Sequence, residues 1–185
     1  MPVGFKNGTG GTVQIAIDTV RATAHPHSFI GVTEQGLAAF VSTRGNPYGH
    51  VILRGGARGP NYDKASVRGA LDALRDAGLP ERLIVDASHG NSERDHRRQP
   101  DVAAEIAAQV AEGERGIAGV MIESFLVAGR QELSDPARLV YGQSITDACI
   151  GWDETVTVLQ GLASAARERR SRSEGQRPRV ASTKR

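Results

Sequence analysis

Short apolar runs alternate with amphipathic helical segments along this chain, and no other feature limits its possible folds as strongly. Four strand-and-helix units can be counted, and their apolar runs are PVGFK, HVILR, RLIVD and GIAGVM. In the first predicted helix, Val13, Ile17 and Val20 lie on one face at helical spacing. Continuous apolar runs are typical of parallel strands whose two faces are both covered. The sequence therefore predicts an α/β fold with a parallel sheet.

The same patterns predict where the remaining elements lie. Helices are expected over residues 66–76, 102–110 and 154–167. Two short β-prone runs around an EQG turn predict a β-hairpin at 29–43, inserted between the first and second units.

A charged or ligating residue follows each of the four apolar runs. These residues are Lys6, Arg54, His89 and Glu123. In a barrel the carboxyl ends of all strands meet at one face, whereas in a doubly wound sheet only the switch point gathers them. The arrangement favours a barrel. Because a complete (β/α)8 barrel takes roughly 250 residues, four units amount to half of one.

Length and composition restrict the number of domains and the compartment. With 185 residues, of which 39% are hydrophobic, the chain is long enough for one domain with its own core. Its single cysteine, Cys149, excludes a disulfide within the chain and agrees with a reducing cytoplasm. No apolar run approaches the ~20 residues that span a bilayer, and the start lacks a signal-peptide pattern. We therefore expect a cytoplasmic protein with no membrane partner.

The positive charge of the chain is concentrated near its end. The formal net charge is +2, but residues 167–185 alone contain eight Lys/Arg and two Asp/Glu. The rest of the chain is therefore mildly acidic. We expect one domain over residues 1–169 and a disordered basic tail over 170–185. A tail that binds RNA is the less favoured alternative, so a nucleic-acid partner is not expected.

Two groups of side chains are suited to chemistry. His89, Glu123 and Asp147 offer one imidazole and two carboxylates, a donor set that suits Mn²⁺, Fe²⁺, Co²⁺ or Zn²⁺. Lys6 and Arg54 are two cations at neighbouring strand ends, which suits a phosphate or a carboxylate. The alternatives are solvated, hydrogen-bonded side chains in the first group and snorkelling side chains in the second.

Three other features are interpreted as structural. The glycine-rich runs GTGGT and RGGARG match neither a dinucleotide-binding motif nor a P-loop, so they predict tight turns after strands. The run ERDHRR, at residues 93–98, is expected to be the exposed start of a helix. Cys149, beside Ile150 and Trp152, is expected to lie in the core rather than to act as a nucleophile.

Five motifs, in the order of the chain, resemble the carboxyl-terminal half of one enzyme family. They are PVGFKNGT, GNPYGHVILRGG, DASHGNS, GVMIESFL and YGQSITDACIGW. The family is the class I 3-deoxy-D-arabino-heptulosonate 7-phosphate (DAHP) synthases, which catalyse the first step of the shikimate pathway and so of aromatic amino acid biosynthesis. The resemblance runs from Pro2 to about Arg169. It implies a (β/α)8 barrel of which this chain supplies the fifth to eighth strands, with the hairpin inserted.

The resemblance also implies roles for the two groups of side chains. His89, Glu123 and Asp147 match ligands of the family's divalent metal, and Lys6 and Arg54 match residues that hold phosphoenolpyruvate. In the family reaction the enol carbon of phosphoenolpyruvate attacks the aldehyde of erythrose 4-phosphate, water adds to the resulting cation, and phosphate leaves. The metal acts as a Lewis acid on the aldehyde oxygen. Lys6, Arg54 and His89 are therefore the predicted catalytic residues.

The five motifs do not include the family's amino-terminal half. That half supplies a fourth metal ligand, a cysteine, and a set of Arg and Lys side chains that completes both substrate sites. Cys149 lies in a different loop and is not expected to replace the missing ligand. We therefore expect a chain that begins just before the fifth barrel strand and needs the other half for activity.

A half barrel leaves two sheet edges unpaired. We therefore expect a chain that is unstable and aggregates alone, or one that assembles with a complementary half-barrel or with further copies of itself as a homo-oligomer. The alternative function is a non-catalytic remnant that binds phosphorylated ligands or associates with full-length synthase subunits.

The predicted hairpin resembles the segment in which family members bind an aromatic amino acid as an effector. Phe29, Gly31 and Val41 are the residues expected to line that pocket. The motifs GNPYGH, HRRQ and YGQSITD are most similar to those of tryptophan-regulated members, without fixing the effector.

Overall fold

The computed structural model describes residues 1–175 of the chain. The strands are β1 (Val3–Lys6), β2 (Ser28–Val32), β3 (Ala38–Ser42), β4 (Gly49–Leu53), β5 (Leu83–Asp86), β6 (Ile117–Met121), β7 (Val127–Arg130) and β8 (Gln143–Ser144). The helices are α1 (Gln14–Ala24), α2 (Lys64–Asp76), α3 (Gln99–Glu112) and α4 (Trp152–Gly175). The strand-and-helix units predicted from the apolar runs are β1 with α1, β4 with α2, β5 with α3, and β6 with α4.

The four strands of these units form one parallel sheet in the order β1-β4-β5-β6. Phe5 pairs with Val51, and Ile52 pairs with Ile84, in parallel register. Each unit therefore lies beside the next unit along the chain, and within residues 1–175 the strand order does not reverse. The predicted α/β fold with a parallel sheet is confirmed.

The two faces of this sheet differ, because side chains alternate between the faces along each strand. One face packs against the helices, and its buried strand residues include Val51, Leu53, Leu83, Val85 and Ala87. Each helix contributes to the same core, through Ile17 of α1, Leu71 of α2, Ile106 of α3 and Ala165 of α4. The opposite face carries Ile52 beside Gly4 and Ile84 beside Gly119. All four helices of the described chain thus cover one face and leave the other open.

Local sequence fixes the ends of the helices that flank the open edge of the sheet. Asp63 caps α2, since its side chain accepts the N–H groups of Ala65 and Ser66 at 3.0 Å each. Helix α3 has a proline in its first turn and ends at Gly113, whose φ of 117° is strained for a residue with a side chain. The Asp63 cap thus ends the loop that follows β4, and the proline-containing first turn of α3 ends the loop that follows β5.

The predicted hairpin is present as a separate two-stranded sheet, in which β2 and β3 pair antiparallel. Phe29 lies opposite Val41, and Gly31 lies opposite Ala39. Several apolar side chains of the hairpin face solvent, and Ile30 is 80% exposed. The hairpin therefore adds little to the core.

The last helix is longer than the sequence predicted. A disordered tail was expected over 170–185, but α4 continues to Gly175. Arg172 forms an ion pair with Glu168 one turn earlier, at 2.8 Å, which favours continued helix. The rest of the expected tail, 176–185, lies outside the described residues. Within the described chain, no helix combines the length and the apolar character that crossing a membrane requires.

Candidate metal and anion site

Chemically active side chains lie at the carboxyl edge of the parallel sheet, on its open face. Lys6 ends β1, Arg54 follows β4 directly, and Asp86 ends β5. Each lies two residues beyond a side chain of the open face, and strand alternation places it on that face too. Glu123 lies two residues beyond Met121, which ends β6 and pairs with Asp86. Four neighbouring strands therefore deliver one ionisable group each to the same edge.

Three potential metal ligands meet at this edge. His89, Glu123 and Asp147 each offer one ligand atom, and these atoms lie within 4.8 Å of one another. They border a cavity of about 240 Å³, whose lining consists of Arg54, Ser88, His89, Arg94, Glu123, Asp147 and Ala148. One imidazole nitrogen and two carboxylate oxygens are a donor set that fits a divalent transition metal.

His89 presents its two ring nitrogens to two different carboxylates. Nδ1 lies 2.9 Å from Oδ2 of Asp86, and Nε2 lies 3.6 Å from Oε1 of Glu123. The backbone of His89 is in the left-handed region, with φ 52°. Such a conformation is uncommon outside glycine and clusters at functional sites, where surrounding contacts maintain it.

The loops that carry His89 and Arg54 approach each other too closely for side chains. A Cβ on Gly90 would lie 2.8 Å from the carbonyl carbon of Gly55. The N–H of Gly90 also donates to the carbonyl of Arg54 at 2.9 Å. Glycine at both positions therefore lets the loops that carry His89 and Arg54 reach one cavity.

Glu123 is fixed through both its side chain and its backbone. Oγ of Ser88 donates to Oε2 of Glu123 at 2.5 Å. The buried side chain of Gln99 accepts the Glu123 N–H at 2.8 Å and donates to the Glu123 carbonyl at 3.1 Å. The N–H of Ile150 donates to the same carbonyl at 3.0 Å, which ties the loop of Asp147 to Glu123. The two carboxylates therefore meet through hydrogen bonds of the backbone.

Lys6 does not line the cavity of about 240 Å³; it is connected to the site by its contact with Asp86. Its Nζ lies 2.8 Å from Oδ2 of Asp86, and the Lys6 side chain is 33% exposed while that of Asp86 is fully buried. The Lys6 side chain is thus only partly covered, which leaves room for an anionic ligand beside it.

Arg54 is held by its backbone, so its side chain is available for a ligand. The Arg54 N–H donates to Oδ1 of Asn7 at 2.7 Å. Its Nε is buried and has no hydrogen-bond partner among residues 1–175. A buried guanidinium nitrogen without a partner is costly, and an anion would satisfy it.

A second cavity of about 660 Å³ adjoins the first. Its lining consists of Thr9, Gly10, Arg54, Gly55, Gly56, Ala57, Gly59, Pro60, Gly90, Glu93 and Arg94. Arg54 and Arg94 line both cavities. The sequence analysis placed Arg94 in an exposed run that precedes a helix, and the structure also shows it exposed, but at the mouth of both cavities.

Arg94, Asp86, Ser88 and Gln99 are the site residues that sequence reasoning missed. Ser88 and Asp86 belong to the DASHGNS motif already singled out, so that motif was the available signal. No sequence motif marked Gln99 or Arg94. Their place at the site depends on how α3 and the loop before it pack against the edge of the sheet.

Cys149 is partly buried beside the site and does not lie in the core as expected; it is still not a candidate nucleophile. Burial raises the pKa of its thiol, and the negative charges of Glu123 and Asp147 add to this effect. Its Sγ donates to the carbonyl of Asp147 at 3.5 Å, and its backbone pairs with that of Gly129. The thiol is therefore poorly reactive near neutral pH.

The residues expected to bind an effector lie on one face of the hairpin. A Cβ on Gly31 would lie 2.9 Å from Cγ2 of Val41, and Phe29 lies beside the same glycine. The Phe29 ring is 50% exposed. These three residues are together, but they lie apart from the metal and anion site.

Most of the chain matches the model of one protein family. Residues 1–160 match the model described as the DAHP synthetase I family. The chain belongs to this family. The resemblance drawn from the five motifs is thereby confirmed.

Relatives of the DAHP synthetase I family match the chain over most of its length. It is 53% identical over 175 residues to the tyrosine-inhibited phospho-2-dehydro-3-deoxyheptonate aldolase of Schizosaccharomyces pombe, covering 91% of this chain and 46% of that protein. It is 51% identical over 179 residues to the phospho-2-dehydro-3-deoxyheptonate aldolase of Corynebacterium glutamicum, covering 92% of this chain and 48% of that protein. It is 49% identical over 169 residues to the Phe-sensitive phospho-2-dehydro-3-deoxyheptonate aldolase of Escherichia coli K12, covering 91% of this chain and 48% of that protein. The chain spans about half the length of the curated relatives it matches.

A solved structure of the family is also similar. The phospho-2-dehydro-3-deoxyheptonate aldolase from Francisella tularensis SCHU S4 matches with a TM-score of 0.85 and 46% identity. The match covers 90% of this chain and 48% of that chain.

Proposed function

We propose that this chain carries the carboxyl-terminal half of a DAHP synthase active site and, together with an amino-terminal half, condenses phosphoenolpyruvate with erythrose 4-phosphate. One observation carries the proposal: Arg54, His89, Glu123 and Asp147 border a single cavity. They do so in a chain that is 53% identical to a named aldolase of this family over 91% of its length.

The parallel sheet is proposed to be a sector of a (β/α)8 barrel, equivalent to its fifth to eighth strands. The strand order without reversal supports this, and so does the position of all described helices on one face. A doubly wound sheet has a reversal point and helices on both faces. In the proposed barrel, β1 and β6 pair with strands of the other half, which removes the two exposed edges.

The metal is proposed to be held by Nε2 of His89 and by one carboxylate oxygen each from Glu123 and Asp147. Mn²⁺, Fe²⁺, Co²⁺ and Zn²⁺ all accept such ligands. When bound, the metal supplies a Lewis acid for the aldehyde oxygen of erythrose 4-phosphate.

The cations of the site are proposed to hold phosphoenolpyruvate. Arg54 offers a guanidinium fork to a phosphate or a carboxylate, and Lys6 offers a point charge beside it. Arg94, which lines both cavities, adds a third positive charge at their mouth. These charges neutralise the substrate and orient its enol carbon toward the aldehyde carbon, with which a carbon–carbon bond forms. Attack leaves a cation on the neighbouring carbon, which bears the phosphate ester; water adds to that carbon and loses a proton, and phosphate leaves to give the ketone.

The hairpin face formed by Phe29, Gly31 and Val41 is proposed to take an aromatic amino acid effector. The half-exposed Phe29 ring supports this, because it offers a stacking surface. Relatives are named as tyrosine-inhibited, Phe-sensitive and Trp-sensitive. Titration of the chain with each amino acid, followed through the amide signal of Gly31 by NMR, should show a saturable shift for one of them. No shift with any of the three would contradict the effector proposal.

Complementation tests the proposed function. The chain is mixed with Mn²⁺, both substrates and a separately produced amino-terminal half of the Corynebacterium glutamicum relative. Heptulosonate phosphate is expected in the mixture and not with either half alone, and Glu123→Gln should abolish it. A mixture in which the two halves co-elute but form no product would favour the alternative, a non-catalytic chain that binds phosphorylated ligands or full-length subunits. Assembly in solution and a cytoplasmic location stay predictions.

A further inference from the structure

We propose that the buried carboxylate of Asp86 is a positioning residue that orients Lys6 and His89 together, and so couples the anion site to the metal site. The inference rests on the proposed function, since it takes His89 as a metal ligand and Lys6 as an anion contact. It adds a residue that touches neither the metal nor the substrate.

Asp86 lies at the end of β5, and its side chain is fully buried. Its Oδ1 accepts the N–H of Ser88 at 2.9 Å, which fixes the carboxylate plane. Its Oδ2 lies 2.8 Å from Nζ of Lys6 and 2.9 Å from Nδ1 of His89. One buried oxygen therefore faces a residue from each of the two groups. A buried carboxylate is costly unless it is paired, and here the Lys6 ammonium donates a hydrogen bond to it while the His89 ring lies within 2.9 Å.

The position of Asp86 selects which nitrogen of His89 carries the proton. Nδ1 faces the carboxylate, so the proton is favoured there, and Nε2 keeps its lone pair on the side of Glu123. The Nδ1–H is not aligned with Oδ2 as in a well-formed hydrogen bond, so the attraction is mainly electrostatic. Carboxylate partners of this kind orient histidine ligands, and removing one typically weakens metal binding by about 10–100-fold.

Lys6 and His89 share the negative charge of one oxygen. While the Lys6 ammonium is bound to Oδ2, it reduces the charge that acts on the imidazole. When an anion draws the ammonium away, more of that charge acts on His89 and makes Nε2 a better donor. Anion binding at Lys6 and metal binding at His89 should therefore strengthen each other reciprocally.

Mn²⁺ titration of the full chain, followed by the electron paramagnetic resonance signal of free Mn²⁺, tests the inference. Asp86→Asn should weaken Mn²⁺ binding about 10–100-fold, while Asp76→Asn, an exposed aspartate at the end of α2, should leave it unchanged. Wild-type affinity in Asp86→Asn would overturn the inference and leave the metal site standing. A wild-type chain that binds no Mn²⁺ would overturn the proposed metal site, and the inference with it.

The shared oxygen is tested by a double-mutant cycle. Lys6→Met should tighten Mn²⁺ binding in the wild-type background, because Oδ2 then acts on His89 alone. The gain should disappear in the Asp86→Asn background. Direct repulsion between Lys6 and the metal would instead give the same gain in both backgrounds, and that result would overturn the coupling.

A measurement on the unmodified chain covers the case in which Asp86→Asn fails to fold. The ¹⁵N NMR shifts of His89, recorded without metal at a pH where histidine is neutral, report which nitrogen is protonated. The inference predicts a proton on Nδ1. A proton on Nε2 would overturn it.

Discussion

Gln99, at the start of α3, holds Glu123 by two hydrogen bonds to its backbone. The Gln99 carbonyl oxygen accepts the Glu123 N–H at 2.8 Å, and the Gln99 amide donates to the Glu123 carbonyl at 3.1 Å. The Gln99 side chain is completely buried. A helix on the covered face of the sheet thus sets the position of a carboxylate in the candidate metal-ligand group.

Replacing this clamp should affect both stability and metal binding. Gln99→Met leaves the Glu123 N–H without its acceptor, so the free energy of unfolding in urea should fall by about 1–3 kcal/mol. Mn²⁺ binding should weaken as well, because the carboxylate is no longer held. Gln109→Met is the matched control on the same helix: it breaks a buried bond to the Tyr62 carbonyl, so it should lower stability alone. Equal Mn²⁺ affinity in the two variants would contradict the positioning role.

Glu123→Gln should weaken Mn²⁺ binding by about tenfold or more, since it removes a proposed ligand charge while keeping the size of the side chain. The fold should be unaffected, and circular dichroism provides the check. Glu105→Gln, an exposed site on α3, is the control and should bind Mn²⁺ like the wild type. Calorimetric titration measures both. Undiminished affinity in Glu123→Gln would remove Glu123 from the ligand set.

The loop before α3 should show a distinct pH response. A hydrogen bond from the Arg97 side chain, with one from its backbone N–H, lowers the pKa of Asp95 to about 2. Arg97→Ala should raise this pKa toward the ordinary value of about 3.9, as measured by NMR titration of the Asp95 carboxyl carbon. A lowered aspartate pKa stabilises the fold only where the carboxylate is charged. The difference in the free energy of unfolding between the wild type and Arg97→Ala should therefore be constant above about pH 4 and vanish toward pH 2. Arg98→Ala should leave the pKa of Asp95 in place; a similar rise in that variant would show a general charge effect.

Cys149 should behave as a partly buried thiol with a raised pKa and not as a metal ligand. Its raised pKa leaves little thiolate near pH 8, so iodoacetamide should modify it more slowly in the folded chain than in urea. Cys149→Ser should keep wild-type Mn²⁺ affinity. Protection of the thiol by Mn²⁺, or weaker binding in Cys149→Ser, would instead place this cysteine in the ligand set.

The sequence predicted the main sheet because four short, continuous apolar runs are typical of strands that are buried in a parallel sheet. It also predicted that Arg54, His89 and Glu123 would meet, since carboxyl ends of parallel strands share an edge. It did not predict Gln99, whose side chain becomes buried only when α3 packs over the edge. It did not predict that α4 continues past residue 170 to Gly175, where Arg172 pairs with Glu168 one turn earlier.

Anomalous scattering from Mn²⁺ in crystals of this chain tests the central claim most directly, because it locates the ion without reference to activity. We predict one strong peak in coordination contact with Nε2 of His89 and with carboxylate oxygens of Glu123 and Asp147. A peak that lies elsewhere, or no peak at saturating Mn²⁺, would contradict the account.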